Sequence, residues 1–284
     1  MAVQFRYTPT EAGWGAIVDL DLSKPFDSAQ QAALLELFRT QHLLVFRNQD
    51  FTMDDQIRLM DGLGPVLHEQ GSGIGYVSNV KEGAALGTSE LSFHSDIAHC
   101  PEPLQAVSLF GERVDGEVTS TRFVSTPRAH RRLPESLRAR IADLTCDNAM
   151  PASMEGRNMD LDVPEQSPRA THRVVWSHPV TGERGLLVNE NQTTRIDGLS
   201  EEESRGLLVE LFDLMYRSDE VYEHRWQQGD LVIWHNLAVQ HARGDLGGDG
   251  ERTLRRVALG EKGFWEQCPT LRYEDFANHE DTKV

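Results

Sequence analysis

Six short β-type runs, LQAVSLFGERV, STRFVS, HRVVWSH, GLLVNE, DLVIWH and LRRVAL, recur between residues 104 and 259 with turn residues between them. Strands this short and this numerous bury their edges by closing into a barrel or a double-sheet jelly roll. Three helices are expected beside them. SAQQAALLELFRT, residues 28–40, opens on a polar cap and runs into the buried strand HLLVF. TMDDQIRLMDGLG has Thr52 to cap it, Asp54 and Asp55 at its positive end and Gly64 to stop it. SEEESRGLLVELFDLMYRS places Ser200 and Glu203 at capping-box spacing, and Leu207, Leu208, Leu211, Phe212 and Met215 form an apolar stripe that reads as core.

Residues 145–170, TCDNAMPASMEGRNMDLDVPEQSPRA, break this pattern, being polar, proline-punctuated and without an apolar period. They read as a long, mobile, lid-like insertion in a single domain spanning residues 1–284. The Gly-rich GSGIG at 71–75 lacks the strand–turn–helix setting of a phosphate loop and reads as a flexible turn near the mouth of the site.

A net charge of −17, from 28 Lys and Arg against 45 Asp and Glu, argues against a nucleic-acid partner. The arginine-rich RAHRRLPESLRAR reads as a solvated helix face. No apolar run approaches the roughly 18 residues of a membrane span. The opening MAVQFRYTPTEAGWG lacks a charged-then-apolar leader, so the chain reads as mature, cytoplasmic protein. The three cysteines, Cys100, Cys146 and Cys268, are too scattered for a disulfide framework and are expected to be reduced. A homo-oligomer is compatible with the sequence, which does not set the state.

The stretch ELSFHSDIAHCPEP sets His94 and Asp96 two residues apart after an apolar triplet. In a strand that spacing points both side chains to one face, where they form a hydrogen-bonded surface pair or two ligands of a metal. A redox-active iron site uses two imidazoles and one carboxylate, leaving positions for a cosubstrate and O2. The third ligand should come from a distant strand across the interior, and GDLVIWHNLAVQHARGDLGGDGERTLRRVAL offers His235 and His241. Arg252 and Arg256 follow; a guanidinium there suits a keto-dicarboxylate whose far carboxylate it would hold by two charge-assisted hydrogen bonds.

H-x-D, then a distal histidine eleven residues before an arginine, resembles the taurine dioxygenase family of Fe(II)/2-oxoglutarate-dependent oxygenases, which also includes phenoxyalkanoate-degrading enzymes. GAIVDLDLSKP, HLLVFRNQDFTMDDQIRLMDGLGPV, GEVTSTRFVSTPRAHRRLP, GDLVIWHN and RRVALGEKGFW match its landmarks in order, so the likeness spans about residues 10–265. It implies a double-stranded β-helix core of the jelly-roll, cupin-like type and oxidation of a C–H bond in a small organic substrate, which Arg256 inclines toward an anion. Hydroxylation is the expected outcome, with succinate and CO2 released; desaturation and oxidative cleavage start in the same way. Carried over by position, the Fe(II) ligands are His94, Asp96 and His241, since only His241 keeps the spacing to Arg252. Arg252 and Thr121 would bind 2-oxoglutarate, with Thr119 the alternative hydroxyl one register away. Arg256 would approach the metal-side carboxylate or the substrate, and Glu90 and Asn79 are further candidate substrate contacts.

The family's usual W-D-N reads Trp234-His235-Asn236 here, and Phe93 replaces a common tryptophan. Retention of Asp96 argues against a halogenase. His99, His172, His178 and His224 are assigned to ordinary hydrogen bonding, and Met150, Met154 and Met159 to incidental positions in the long loop. A zinc hydrolase and a non-catalytic binding protein are the rival classes. The first needs no arginine at fixed distance, and the second predicts a broken ligand set.

Overall fold

Along the strand Leu231–His235, Val232 and Trp234 enter one apolar core and Leu231 and Ile233 another. That alternation makes the strand a wall between two layers. The computed structural model describes residues 5–68, 75–81, 90–116, 119–243 and 250–271. Its largest sheet has seven strands in the order Arg6–Pro9, Ala16–Asp19, Leu43–Phe46, Leu231–His235, Ala106–Val114, Arg252–Leu259 and Gly75–Ser78. All of its pairings are antiparallel except Ala16–Asp19 with Leu43–Phe46. A second, antiparallel sheet runs Tyr222–Arg225, Ser120–Ser125, Val239–Arg243 and Leu91–His94.

The two sheets face each other across a core built from Val107, Leu109, Trp234 and Leu254 on one side and Phe123, Tyr222 and Val239 on the other. Helices Ser28–Gln41 and Met53–Asp61 cover the outer face of the large sheet through Leu34, Phe38, Leu59 and Met60. Helix Glu201–Met215 covers the small sheet with the apolar stripe expected for it, against Phe93, Val124 and Ala242. This is the jelly-roll core with peripheral helices. Asp27, Thr52 and Ser200 each close a capping box. The second helix is capped at its C-terminal end by Gly62, two residues before the glycine expected to stop it.

Residues 145–170 differ from the all-loop reading. Thr145–Ala149 and Arg169–Arg173 are strands that pair with each other, and Thr193–Ile196 lies on the other edge. No apolar alternation marks the first of them because both its faces are buried and carry polar groups satisfied by side chains: Thr193 donates to Asn148 Oδ1 and Arg169 to Asp147. Between the strands the chain is tied to the small sheet, with Ser92 N donating to the Met154 carbonyl and Gly156 N to Ser92 Oγ. Met159 packs against the core under helix Glu201–Met215, and Met154 is exposed.

RAHRRLPESLRAR forms two helices, Thr126–Arg132 and Glu135–Ile141, whose Ala129, Leu137 and Ile141 are buried, so its face is only partly solvated. Most of GSGIG lies outside the described residues. The cysteines carry no disulfide. Among the described residues no helix is long and apolar enough to cross a membrane.

Away from the small sheet, His235 ends its strand within a cluster of aromatic rings. Its Nδ1 accepts from the backbone N–H groups of Leu237 and Ala238, as an aspartate in that turn would. The ring stacks on Trp176 at 5.4 Å and lies 5.1 Å from His178 and 6.0 Å from His42. Burial, opposed at His42 by Glu183 and reinforced by neighbouring imidazoles, pushes His42 down to about 4 and His235 down to about 3. The folded state therefore keeps these rings neutral, while the unfolded chain takes up protons from about 6.5 downward. Their contribution to stability is whole above that pH and falls as pH drops toward the folded-state values. Urea unfolding should show a lower midpoint at about pH 5 than at about pH 7. In His235→Asn, whose amide keeps the turn acceptor without titrating, the drop should shrink; an equal drop would place the acid sensitivity elsewhere.

Candidate metal and cosubstrate site

Strands Leu91–His94 and Val239–Arg243 are hydrogen-bonded neighbours with His94 opposite His241. Phe93 and Ala242 belong to the outer core, so the alternation turns both imidazoles into the space between the sheets. The distal histidine thus comes from the adjacent strand, not from one across the interior as the sequence reading had it. Asp96 does not share a strand face with His94 either. The strand ends at His94, and Asp96 enters a turn in which Ile97 has φ 47°, a left-handed backbone costly for a β-branched residue.

Asn236 holds that turn. Its Oδ1 accepts from Asp96 N at 2.8 Å, and its Nδ2 donates to the carbonyls of Asp96 and Leu104 at 3.0 Å each. One ligand atom from each of His94, Asp96 and His241 lies within 4.8 Å of the others. Asp96 Oδ1 is 3.2 Å from His94 Nε2 and 3.6 Å from His241 Nε2, and the imidazole centroids are 4.1 Å apart. His94 Nδ1 lies 3.0 Å from the Ser92 carbonyl. A proton on Nδ1 donates there and leaves the Nε2 lone pair facing Asp96 and His241, the tautomer a metal requires. His235 stays with its own cluster outside this group.

Arg256 reaches the same carboxylate from the large sheet, its Nη2 donating to Asp96 Oδ2 at 2.9 Å. Burial works against ionisation of Asp96, but the Arg256 charge and the contact with His94 outweigh it and hold the carboxyl well below the usual range. Burial, with the charge His94 would carry, pushes His241 down to about 3. A neutral His241 imidazole beside an ionised carboxylate is a protonation state suited to a divalent cation.

Leu254 and Ala258 face the inner core, so on the same strand Arg252 and Arg256 also point between the sheets. Arg252 is almost fully buried, and its Nη1 donates to Thr119 Oγ1 at 3.1 Å. The Thr121 hydroxyl instead accepts from the Trp226 indole at 2.9 Å. Asn79, a candidate substrate contact, uses its side chain on the backbone: its Oδ1 accepts from Arg252 N, and its Nδ2 donates to the Gly250 carbonyl. Glu90 is exposed, just ahead of the His94 strand. Of the remaining histidines, His172 meets the Cys100 carbonyl, His178 accepts from Val180 and Thr181, and His224 lies 3.3 Å from Asp230. His99 departs from the hydrogen-bonded role assigned to it: it is buried edge-on to Phe264, and among the described residues neither ring nitrogen has a hydrogen-bond partner.

Residues 6–258 match the family described as "Taurine catabolism dioxygenase TauD, TfdA family". The chain belongs to this family. Within it, the chain is 26% identical over 262 residues to an (S)-phenoxypropionate/alpha-ketoglutarate-dioxygenase of Sphingobium herbicidovorans, covering 85% of this chain and 90% of that one. It is 27% identical over 278 residues to an alpha-ketoglutarate-dependent sulfate ester dioxygenase of Pseudomonas putida, covering 91% and 90%. In three dimensions it resembles a crystal structure of a taurine dioxygenase from Burkholderia xenovorans, with a TM-score of 0.76, 23% identity and 91% of each chain covered.

Among family landmarks, the Trp-x-Asn stretch here acquires a physical role, because Asn236 is the clip on the Asp96 turn. Asn236→Ala should lower unfolding stability by about 1–3 kcal/mol, since buried partners lose their hydrogen bonds. It should also weaken Mn(II) binding measured by calorimetry. Unchanged metal affinity would show that the turn holds Asp96 without it.

Proposed function

We propose that this protein is an Fe(II)- and 2-oxoglutarate-dependent dioxygenase that oxidises a C–H bond of a small, anionic organic molecule, with hydroxylation as the outcome and succinate and CO2 as coproducts. One observation carries the reading: in a chain of this family, two imidazoles and a carboxylate converge between the sheets while Arg252 is buried in the same space.

His94, Asp96 and His241 would hold the iron, which when bound supplies activation of O2 coupled to oxidative decarboxylation of 2-oxoglutarate. Arg252 would receive the cosubstrate's far carboxylate, with Thr119 and Thr121 as its hydroxyl neighbours. Arg256 occupies Asp96 Oδ2 and leaves Oδ1 toward the imidazoles, which favours a carboxylate bound through one oxygen. From there its charge also meets the metal-side carboxylate or an anionic substrate. Asn79 fixes the backbone that presents Arg252, and Glu90 stands at the rim as a candidate substrate contact. The stretch between the strands of residues 145–170 lies along the His94 strand, and we assign it the task of covering the substrate and excluding water. Acidic substrates are supported by the relatives named for phenoxypropionate and sulfate esters.

The test is an anaerobic titration of metal-free protein with Fe(II) and 2-oxoglutarate, read through the visible metal-to-ligand charge-transfer band. The band should form, and His94→Ala or His241→Ala should abolish it. Loss in His235→Ala but not in His241→Ala would move the ligand register. No band despite bound iron would overturn the reading in favour of a hydrolase or a binding protein. Arg252→Ala should raise the 2-oxoglutarate concentration needed for the band about tenfold to a hundredfold, with iron affinity retained.

A further inference from the structure

Arg243 closes the strand that carries His241, two residues beyond it, and the ladder sets it opposite Thr121. Val239 and Phe123 belong to the inner core, so His241, Arg243 and Thr121 share the inward face of the small sheet. Arg243 is 6% exposed and Arg252 1%. Arg252 reaches from the large sheet to the Thr119 hydroxyl, two residues before the Thr121 that Arg243 opposes, and the Trp226 indole donates to Thr121. The charges of Arg243 and Arg252 interact: after burial, Arg243 is the neighbour that lowers the hold of Arg252 on its proton, to about 10. A carboxylate set between two guanidinium groups accepts charge-assisted hydrogen bonds from both.

We propose that Arg243 is a second guanidinium for the 2-oxoglutarate carboxylate farthest from the metal, so that this end of the site is a two-arginine cradle spanning both sheets. The proposal rests on the reading of Arg252 as the cosubstrate clamp. It makes the far carboxylate a stronger requirement for binding than a single clamp would.

The test is calorimetric binding of two keto acids to the Mn(II)-loaded protein: 2-oxoglutarate, and 2-oxobutyrate, which has the keto-acid end but no far carboxylate. Arg243→Gln should weaken 2-oxoglutarate binding about tenfold or more and leave 2-oxobutyrate binding unchanged, which also shows the variant to be folded. Arg243→Lys, which keeps the charge without the planar fork, should fall between wild type and Arg243→Gln. Equal weakening of both acids, or no change in either, would overturn the proposal. Arg252→Gln separates the two levels. If it weakens 2-oxoglutarate binding while Arg243→Gln does not, only Arg243 loses its place; if neither variant does, the reading of Arg252 fails with it.

Discussion

Asp96 is the point at which the two sheets are joined by charge. Its carboxylate lies between two imidazoles of the small sheet and a guanidinium of the large one. A buried carboxylate without those partners would be protonated or would have to leave the interior. With them it stays ionised, and the site acquires the anionic donor that balances a divalent cation. The cost is a set of neighbours that cannot be removed singly: Arg256 without Asp96 would be a half-buried cation that has lost its carboxylate, and the imidazoles would face each other at 4.1 Å without that carboxylate beside them.

The remaining structure holds that junction in place. Helices outside each sheet bury the faces turned away from the site, so the inward faces are free to carry polar groups among apolar ones. Arg255, between Arg252 and Arg256 but facing outward, shows how completely alternation sorts function: its guanidinium bonds Gln56, Glu112 and the Phe51 carbonyl beneath the helix side. The Asp96 turn, with Ile97 in a costly backbone conformation, is kept by the hydrogen bonds of Asn236 from the facing sheet.

What the sequence disclosed follows from where local chemistry and burial agree. Ser200 and Glu203 announce a helix because capping is a local event, and DLVIWH announces a strand because its side chains are apolar on both faces. The strand Thr145–Ala149 stayed hidden because its buried groups, Asp147 and Asn148, are satisfied by partners some 20 to 45 residues away. The convergence of His94, Asp96 and His241 was legible from spacing, although the strand carrying His241 proved to be the neighbour of the His94 strand. Telling Thr119 from Thr121 needed their partners, which STRFVS alone does not give: Thr119 accepts from Arg252 and Thr121 from Trp226. Arg243 was passed over because an arginine at a strand end ordinarily reaches solvent; only its opposition to Thr121 and its burial show otherwise.

The pairing of His94 with His241 has a consequence for how such a protein can change. The distance between the two imidazoles is set by the spacing of a backbone ladder, a ruler that does not depend on the identity of nearby side chains. Loops that join these strands can lengthen, shorten or exchange residues while the gauge between the two imidazoles stays constant. A one-residue slip within either strand is different in kind, because it swaps inward for outward and sends an imidazole into the apolar layer beneath helix Glu201–Met215. The rim is thus free to drift, while the spacing of the two imidazoles is inherited with the hydrogen-bond register itself.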